Sequence, residues 1–341
     1  HLYKCSDRPA IADVWPRGKR VLLAVRRDPS RLLKYTIKED DINLFLRAWN
    51  QMNNTKECIY VGYDSTNFNT HAYGIELADY GHPKVDEGLP QYNLAYAVNQ
   101  KDSTPLFYEL YDGSVIDNTE LEIMLEEAKE FGHERLGVLM DRGYISEKNI
   151  KALRSKGYEY ILMMKQNQKI CQEIIEEYGA AVQSLEGYYI GEHGVYGTTV
   201  KKELYGQEAN IHVYYDDIRA SEEKVALMNR YETWEKEIEK KVEKKLATEG
   251  EMKKYRKVFK LKYDQNGYLV AYQRNSRYIK EEIRNLGFFF IITSEDMSAS
   301  KALDIYRGRD NIEKMFRSLK SGIDFNKARV HTTESLKSKV F

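Results

Sequence analysis

A chain of 341 residues with 42% apolar and 12% aromatic side chains is long enough for two domains, or for one domain carrying a large insertion, and too apolar for wholesale disorder. Lys+Arg and Asp+Glu balance at 53 each, so no overall charge favours nucleic acid and any DNA contact must come from local patches. Cys5, Cys58 and Cys171 form no CxxC or Cys/His cluster, which argues against a structural zinc site and for free thiols in a reducing cytosol. No run approaches the roughly 20 apolar residues that cross a bilayer, and no signal peptide opens the chain, so a cytoplasmic protein without a membrane segment is expected. The start at His1 and the stop at Phe341, inside an amphipathic stretch, read as a fragment of a longer protein.

Residues 1–55 carry a basic stretch, Arg17-Gly-Lys-Arg20 with Arg26-Arg27, and then a helix over about Asp40 to Met52. Cys58-Ile-Tyr-Val-Gly-Tyr-Asp64 is a short apolar, β-branched and aromatic run, as expected of a buried strand. The runs 91–98 and 106–111, broken by turn residues, predict an antiparallel meander. An acidic helix follows over 118–130, with Leu121, Met124, Leu125 and Ala128 on one face. Leu136-Gly-Val-Leu-Met-Asp141 reads as a second buried strand. Ser146 caps a helix whose first turn holds Glu147, and 158–164 returns as a strand.

From Lys165 the character changes. Short Tyr- and Gly-rich strand candidates flank a charged helix from Ser221 to about Lys245, with Glu and Lys interleaved at the spacing of an exposed face. Leu286 to Thr293 is again a buried strand, and a long helix is expected from about Ser298. The last strand and helix are too small to fold alone. One α/β domain over 56–164 plus 286–341, interrupted by an insertion subdomain over 165–285 and preceded by a basic, partly helical remnant over 1–55, is therefore the economical division.

Asp64 and Asp141 each end an apolar strand, where open α/β sheets place their ligands. Two carboxylates brought together there would repel each other unless a cation neutralised them. Either aspartate alone could equally be a turn former or a helix cap. The segment Tyr306 to Lys320 adds weight. On a wheel of 100° per residue starting at Tyr306, Arg309, Glu313, Arg317 and Lys320 all fall within about 60° of it, beside an apolar stripe of Ile305, Ile312, Phe316 and Leu319. A solvated face of ion pairs is the bland alternative. Here, however, the charges crowd the edge of the apolar stripe instead of the far side.

The spacing Tyr306-x2-Arg309-x3-Glu313-x6-Lys320 resembles the Y-R-E-K signature of a large family of bacterial insertion-sequence transposases. Tyr63-Asp64-Ser-Thr66 is similar to that family's first-Asp motif, and Asp141-Arg-Gly-Tyr-Ile-Ser-Glu-Lys-Asn149 to its second. Gly81-His-Pro-Lys84 and Pro105-Leu resemble its loops, whereas Asp112-Gly-Ser stands where Pro-Gly-Asn is usual. The resemblance spans 57–164 and 286–335. It implies a ribonuclease H-like mixed sheet with flanking helices, interrupted by a large mixed β/α insertion. It further implies a DDE-type catalytic site in which Asp64, Asp141 and Glu313 bind two Mg²⁺ or Mn²⁺ ions and cut and join DNA.

Tyr306, Arg309 and Lys320 would grip phosphates near the cut end, with Arg317 and Arg142 as further DNA contacts. Implied partners are double-stranded DNA, as terminal inverted repeats and target, and a second copy of the chain, in a nucleoid-associated bacterial protein. Local charge agrees, with ten Lys/Arg against five Asp/Glu over 301–341 and ten against four over 251–284. Trp234 could either stack on an unpaired base or serve packing. Two other readings are a ribonuclease H-like nuclease without strand transfer, and a decayed copy that only binds DNA.

Overall fold

The computed structural model describes residues 39–53, 59–80, 88–114, 117–133, 136–140, 142–143, 145–244, 249–317 and 330–341. The basic stretch 17–27, Cys5, Cys58, the 81–84 loop, Asp141 and Lys320 lie outside these residues. So do the side chains of Tyr63 and Asp64.

The elements in chain order are α1 (Glu39–Asn53), β1 (Ile59–Asn69), β2 (Gln91–Asn99), β3 (Pro105–Asp112), α2 (Asp117–Glu130), β4 (Leu136–Met140), α3 (Glu147–Ser155), β5 (Glu159–Met163) and α4 (Lys169–Ser184). Then come β6 (Tyr189–Ile190), β7 (Val195–Leu204), β8 (Gln207–Tyr215), α5 (Asp217–Lys244), β9 (Phe259–Tyr263), β10 (Leu269–Arg274) and α6 (Ser276–Asn285). β11 (Phe288–Thr293), α7 (Ala299–Arg307), α8 (Asp310–Arg317) and α9 (Thr333–Val340) complete the described chain. Local chemistry accounts for several boundaries. Ser146 and Ser298 accept from the backbone N–H groups of Asn149 and Lys301, capping α3 and α7 as short polar side chains do at helix starts.

Nine strands form one mixed sheet in the order β3-β2-β1-β4-β5-β11-β8-β7-β6. β1, β4 and β5 run parallel, as expected of strands buried on both faces, and the meander β1-β2-β3 is antiparallel. Every residue of β4 and of β11 is buried. Helices cover both faces. Met124, Leu125 and Ala128 of α2, Ile150 and Leu153 of α3, and Ile174 and Val182 of α4 pack with Val61, Val138 and Phe290 on one side. On the other, Ala299, Leu303 and Tyr306 of α7 pack with Leu139, Ile161, Tyr214 and Ile291, while Leu336 of α9 joins Phe68, Tyr92 and Leu94. A mixed sheet between helices is the α/β arrangement expected from the sequence.

Two expectations need correcting. The first half of the 165–285 segment does not project as a separate lobe. β6, β7 and β8 extend the main sheet, because β11 presents its second edge to β8 all along Phe288–Thr293. Only the second half forms a body of its own, where Leu227, Tyr231 and Ile238 of α5 close over the β9–β10 ribbon and Ile279 of α6. Nor is the helix from Ser298 continuous. It stops at Arg307 and restarts at Asp310, and Gly308 at the break leaves room for the Gln100 side chain where a Cβ would stand.

Candidate active site

β1 delivers Asp64 in the middle of its length, opposite Tyr96 of β2. The parallel partner β4 holds a constant register with β1, from Ile59 with Leu136 to Gly62 with Leu139. That offset is 77 positions (136 minus 59), and 77 positions also separate Asp64 from Asp141. Asp141 follows directly on Met140, the last residue of β4. Successive residues of a strand alternate between faces, so position 64 belongs to the face of Tyr60 and Phe68. The same face carries α7, and α8 lies along β1.

Arg309 donates from Nη2 to Glu313 Oε1 at 2.6 Å, one helical turn apart. The same guanidinium lies over the Tyr306 ring, 5.8 Å from its centroid. Arg309 is 13% exposed and Glu313 49%, so the cation is clamped between ring and carboxylate while the carboxylate faces solvent. Tyr306 itself is buried against Leu139, Ile161 and Leu303, behind Arg309 and not beside it on an open stripe. The break after Arg307 puts Tyr306 on α7 and Glu313 on α8, yet Arg309 still bridges the two at the spacing the wheel gives, while Lys320 lies outside the described residues. Arg317 and Arg142 are exposed, the first on α8 and the second in the turn after β4.

Beside position 64, burial raises the Tyr96 phenol to about 12, so its hydroxyl stays neutral at physiological pH. Among the described residues no three acids, histidines or cysteines are grouped to hold a metal ion. Asp141 and the side chain of Asp64 lie outside the described residues.

A cluster that sequence reasoning missed lies nearby. His193, in the β6–β7 turn, holds Asp304 Oδ1 from Nε2 at 2.5 Å and accepts from Arg307 Nη1 at Nδ1, 2.9 Å away. An Nδ1 that accepts leaves the ring proton on Nε2, donated to Asp304. The cluster ties the sheet extension to the end of α7, two residues before Arg309. Partners more than 100 positions apart leave no mark in a single sequence.

Trp234, left open between base stacking and packing, is engaged within the outer lobe. Its ring lies 6.0 Å from Tyr231 and edge-on to Tyr255 at 5.7 Å.

The family model described as the transposase DDE domain matches residues 61–341. The chain belongs to the DDE transposase family. The matched span opens at Val61 inside β1 and takes in Asp64, Asp141 and Glu313. It also takes in the sheet extension and the outer lobe, so both are parts of this transposase domain. Among solved structures, the chain is similar to piggyBac transposase in a cryo-EM synaptic complex with hairpin DNA, at 8% identity and a TM-score of 0.40. That alignment covers 92% of this chain and 48% of the other, so the chain spans about half the length of that transposase. No curated protein matches the sequence. Among the described residues, no helix of this transposase domain is long and apolar enough to cross a membrane.

Proposed function

We propose that this chain is the catalytic part of an insertion-sequence transposase of the bacterial Y-R-E-K type, cutting DNA at transposon ends and transferring the freed 3′-hydroxyl into DNA. The observation that supports this best is backbone placement. Asp64 sits on a strand whose parallel register leads to Asp141, and the helix bearing Glu313 lies along that same strand. Three carboxylates converging on one sheet face would be oxygen donors of the kind Mg²⁺ and Mn²⁺ take, and Glu313 is already half exposed toward solvent. Two such ions, when held by Asp64, Asp141 and Glu313, would supply charge stabilisation to the attacking and leaving oxygens of a phosphodiester.

The chain's own groups prepare that site. Arg309 balances the charge of Glu313, and its guanidinium can share a phosphate oxygen at the same place. Arg142, Arg317 and Lys320 add cations that position the backbone of DNA without reading its sequence. Tyr306 orients Arg309 through its ring from the buried side. The substrates would be terminal inverted repeats and target duplex, brought together by a homodimer in the nucleoid.

Asp64→Asn, Asp141→Asn and Glu313→Gln should each lower metal-dependent nicking of a transposon-end duplex by more than about a hundredfold, with duplex binding retained. Joining of a labelled 3′-hydroxyl end to plasmid DNA separates a transposase from a simple nuclease. Full nicking by any one of the three variants would remove that residue from the site.

A further inference from the structure

The outer lobe presents a basic surface that the catalytic reading does not use. Between the end of α5 and the first strand of the ribbon, the chain runs Met252-Lys-Lys-Tyr-Arg-Lys-Val-Phe-Lys-Leu-Lys-Tyr263. Met252, Tyr255, Val258 and Phe259 turn inward, into the aromatic core of the lobe. The cations between them therefore point out: Lys253, Lys254, Arg256, Lys257, Lys260 and Lys262 are all exposed.

Two of the six are engaged in the lobe, Lys254 with Glu237 and Arg256 with Glu249. Lys253, Lys257, Lys260 and Lys262 have no carboxylate within ion-pairing distance among the described residues. Lys201 and Lys202 on the neighbouring sheet extension, by contrast, meet Glu208, Asp296 and Glu177. Lys260 and Lys262 share the solvent face of β9, opposite Gln273 and Ala271 of β10. The ribbon face is thus cationic on one strand and uncharged on the other.

We propose that Lys253, Lys257, Lys260 and Lys262 form a DNA-backbone contact separate from the catalytic face, one that holds a duplex by its phosphates. This rests on the transposase reading, which supplies the duplex. Four cations spread along a short segment without ion-pair partners among the described residues fit a polyanion better than a point ligand, since each can displace one condensed counterion from a phosphate. Lysines on flexible stems suit a surface that supplies affinity and no base readout. The ribbon's rigidity comes from the inward aromatic residues, so these side chains can be exchanged without touching the core.

The test compares the full chain with a variant carrying Lys253→Gln, Lys257→Gln, Lys260→Gln and Lys262→Gln, using a short duplex of arbitrary sequence over a range of salt. A charge-matched control carries Lys101→Gln, Lys129→Gln, Lys165→Gln and Lys224→Gln, four exposed lysines elsewhere. The ribbon variant should bind roughly ten- to a thousandfold more weakly at moderate salt, with the log–log salt slope reduced by up to about 3.6, or about 0.9 for each phosphate no longer neutralised. The control should keep most of the slope. Equal reductions in both variants, or an unchanged slope in the ribbon variant, would overturn the proposal while leaving the catalytic reading intact. Absence of duplex binding by the unaltered chain would count against both, and retained metal-dependent nicking would then restrict the failure to the ribbon.

Discussion

The main sheet and the outer lobe hold themselves together by different means. In the sheet, β4 and β11 are buried along their whole length, and polar groups beside them are held by hydrogen bonds. His212, for instance, spans two neighbouring strands, with Thr199 Oγ1 at 2.8 Å from Nδ1 and Thr293 Oγ1 at 3.0 Å from Nε2. In the lobe, α5 buries only Leu227, Tyr231 and Ile238 over 28 residues. Met228, Trp234 and Val242 add partly buried contacts, and polar pairs line the margin: Glu235 binds Arg274, Glu237 binds Tyr255 and Lys254, and Glu239 accepts from Tyr272 at 2.8 Å. Candidate catalytic positions thus sit on the part fixed by apolar burial, where a displaced backbone is costly. The basic ribbon sits on a smaller apolar core whose margin is laced with partly exposed charge pairs, each worth little alone.

The largest effect expected from this contrast is in the sheet. Phe290→Ala, at a fully buried site on β11, should destabilise the whole domain by about 4 kcal/mol in denaturant unfolding. A loss confined to the lobe, with the sheet transition unmoved, would break the contrast.

Next in size is a pH effect that should appear in the sheet alone. Burial pushes His212 down from 6.5 to about 4, so the unfolded chain takes up this proton more readily than the folded one. The contribution is fully retained above pH 6.5. It is lost as pH falls toward 4, by roughly 3 kcal/mol in all. His212→Gln should flatten that part of the stability profile, and an unchanged slope would assign the acid sensitivity to other groups.

The smallest effect lies in the lobe. Glu235→Gln should cost less than about 1 kcal/mol, because the pair with Arg274 is still a quarter to a third exposed. Raising salt should reproduce it, read as faster amide exchange in β9 and β10 with β4 and β11 unaffected.

Much of this architecture is legible in the sequence, for definite reasons. Strands buried on both faces, such as β4 and β11, announce themselves as unbroken apolar runs, and Ser146 and Ser298 announce helix starts. The apolar run that leads to Asp64 is legible, but the end of its strand is not: polar Ser65, Thr66 and Asn67 continue β1 to Asn69, so Asp64 lies within the strand and not at the end that the apolar run predicts. The Gly308 break is not legible either, because a glycine within an amphipathic pattern is tolerated and its close neighbour Gln100 lies some 200 positions earlier. The sheet extension is hidden for a similar reason. The Tyr- and Gly-rich strands β7 and β8 would look the same in a separate lobe, and only the free edge of β11 decides where they pair.

The place of β11 between β5 and β8 has a practical consequence for anyone wishing to trim this molecule. The segment 165–285 resembles an accessory that could be cut out and replaced by a short linker. Excision would strip β11 of β8 along all six of its residues, leaving Phe-Phe-Phe-Ile-Ile-Thr as a bare sheet margin. An uncharged, aromatic edge of that kind invites strand-to-strand association between molecules. A minimised version is therefore expected to precipitate unless the cut falls after Tyr215, keeping the β7–β8 hairpin as a guard along that margin.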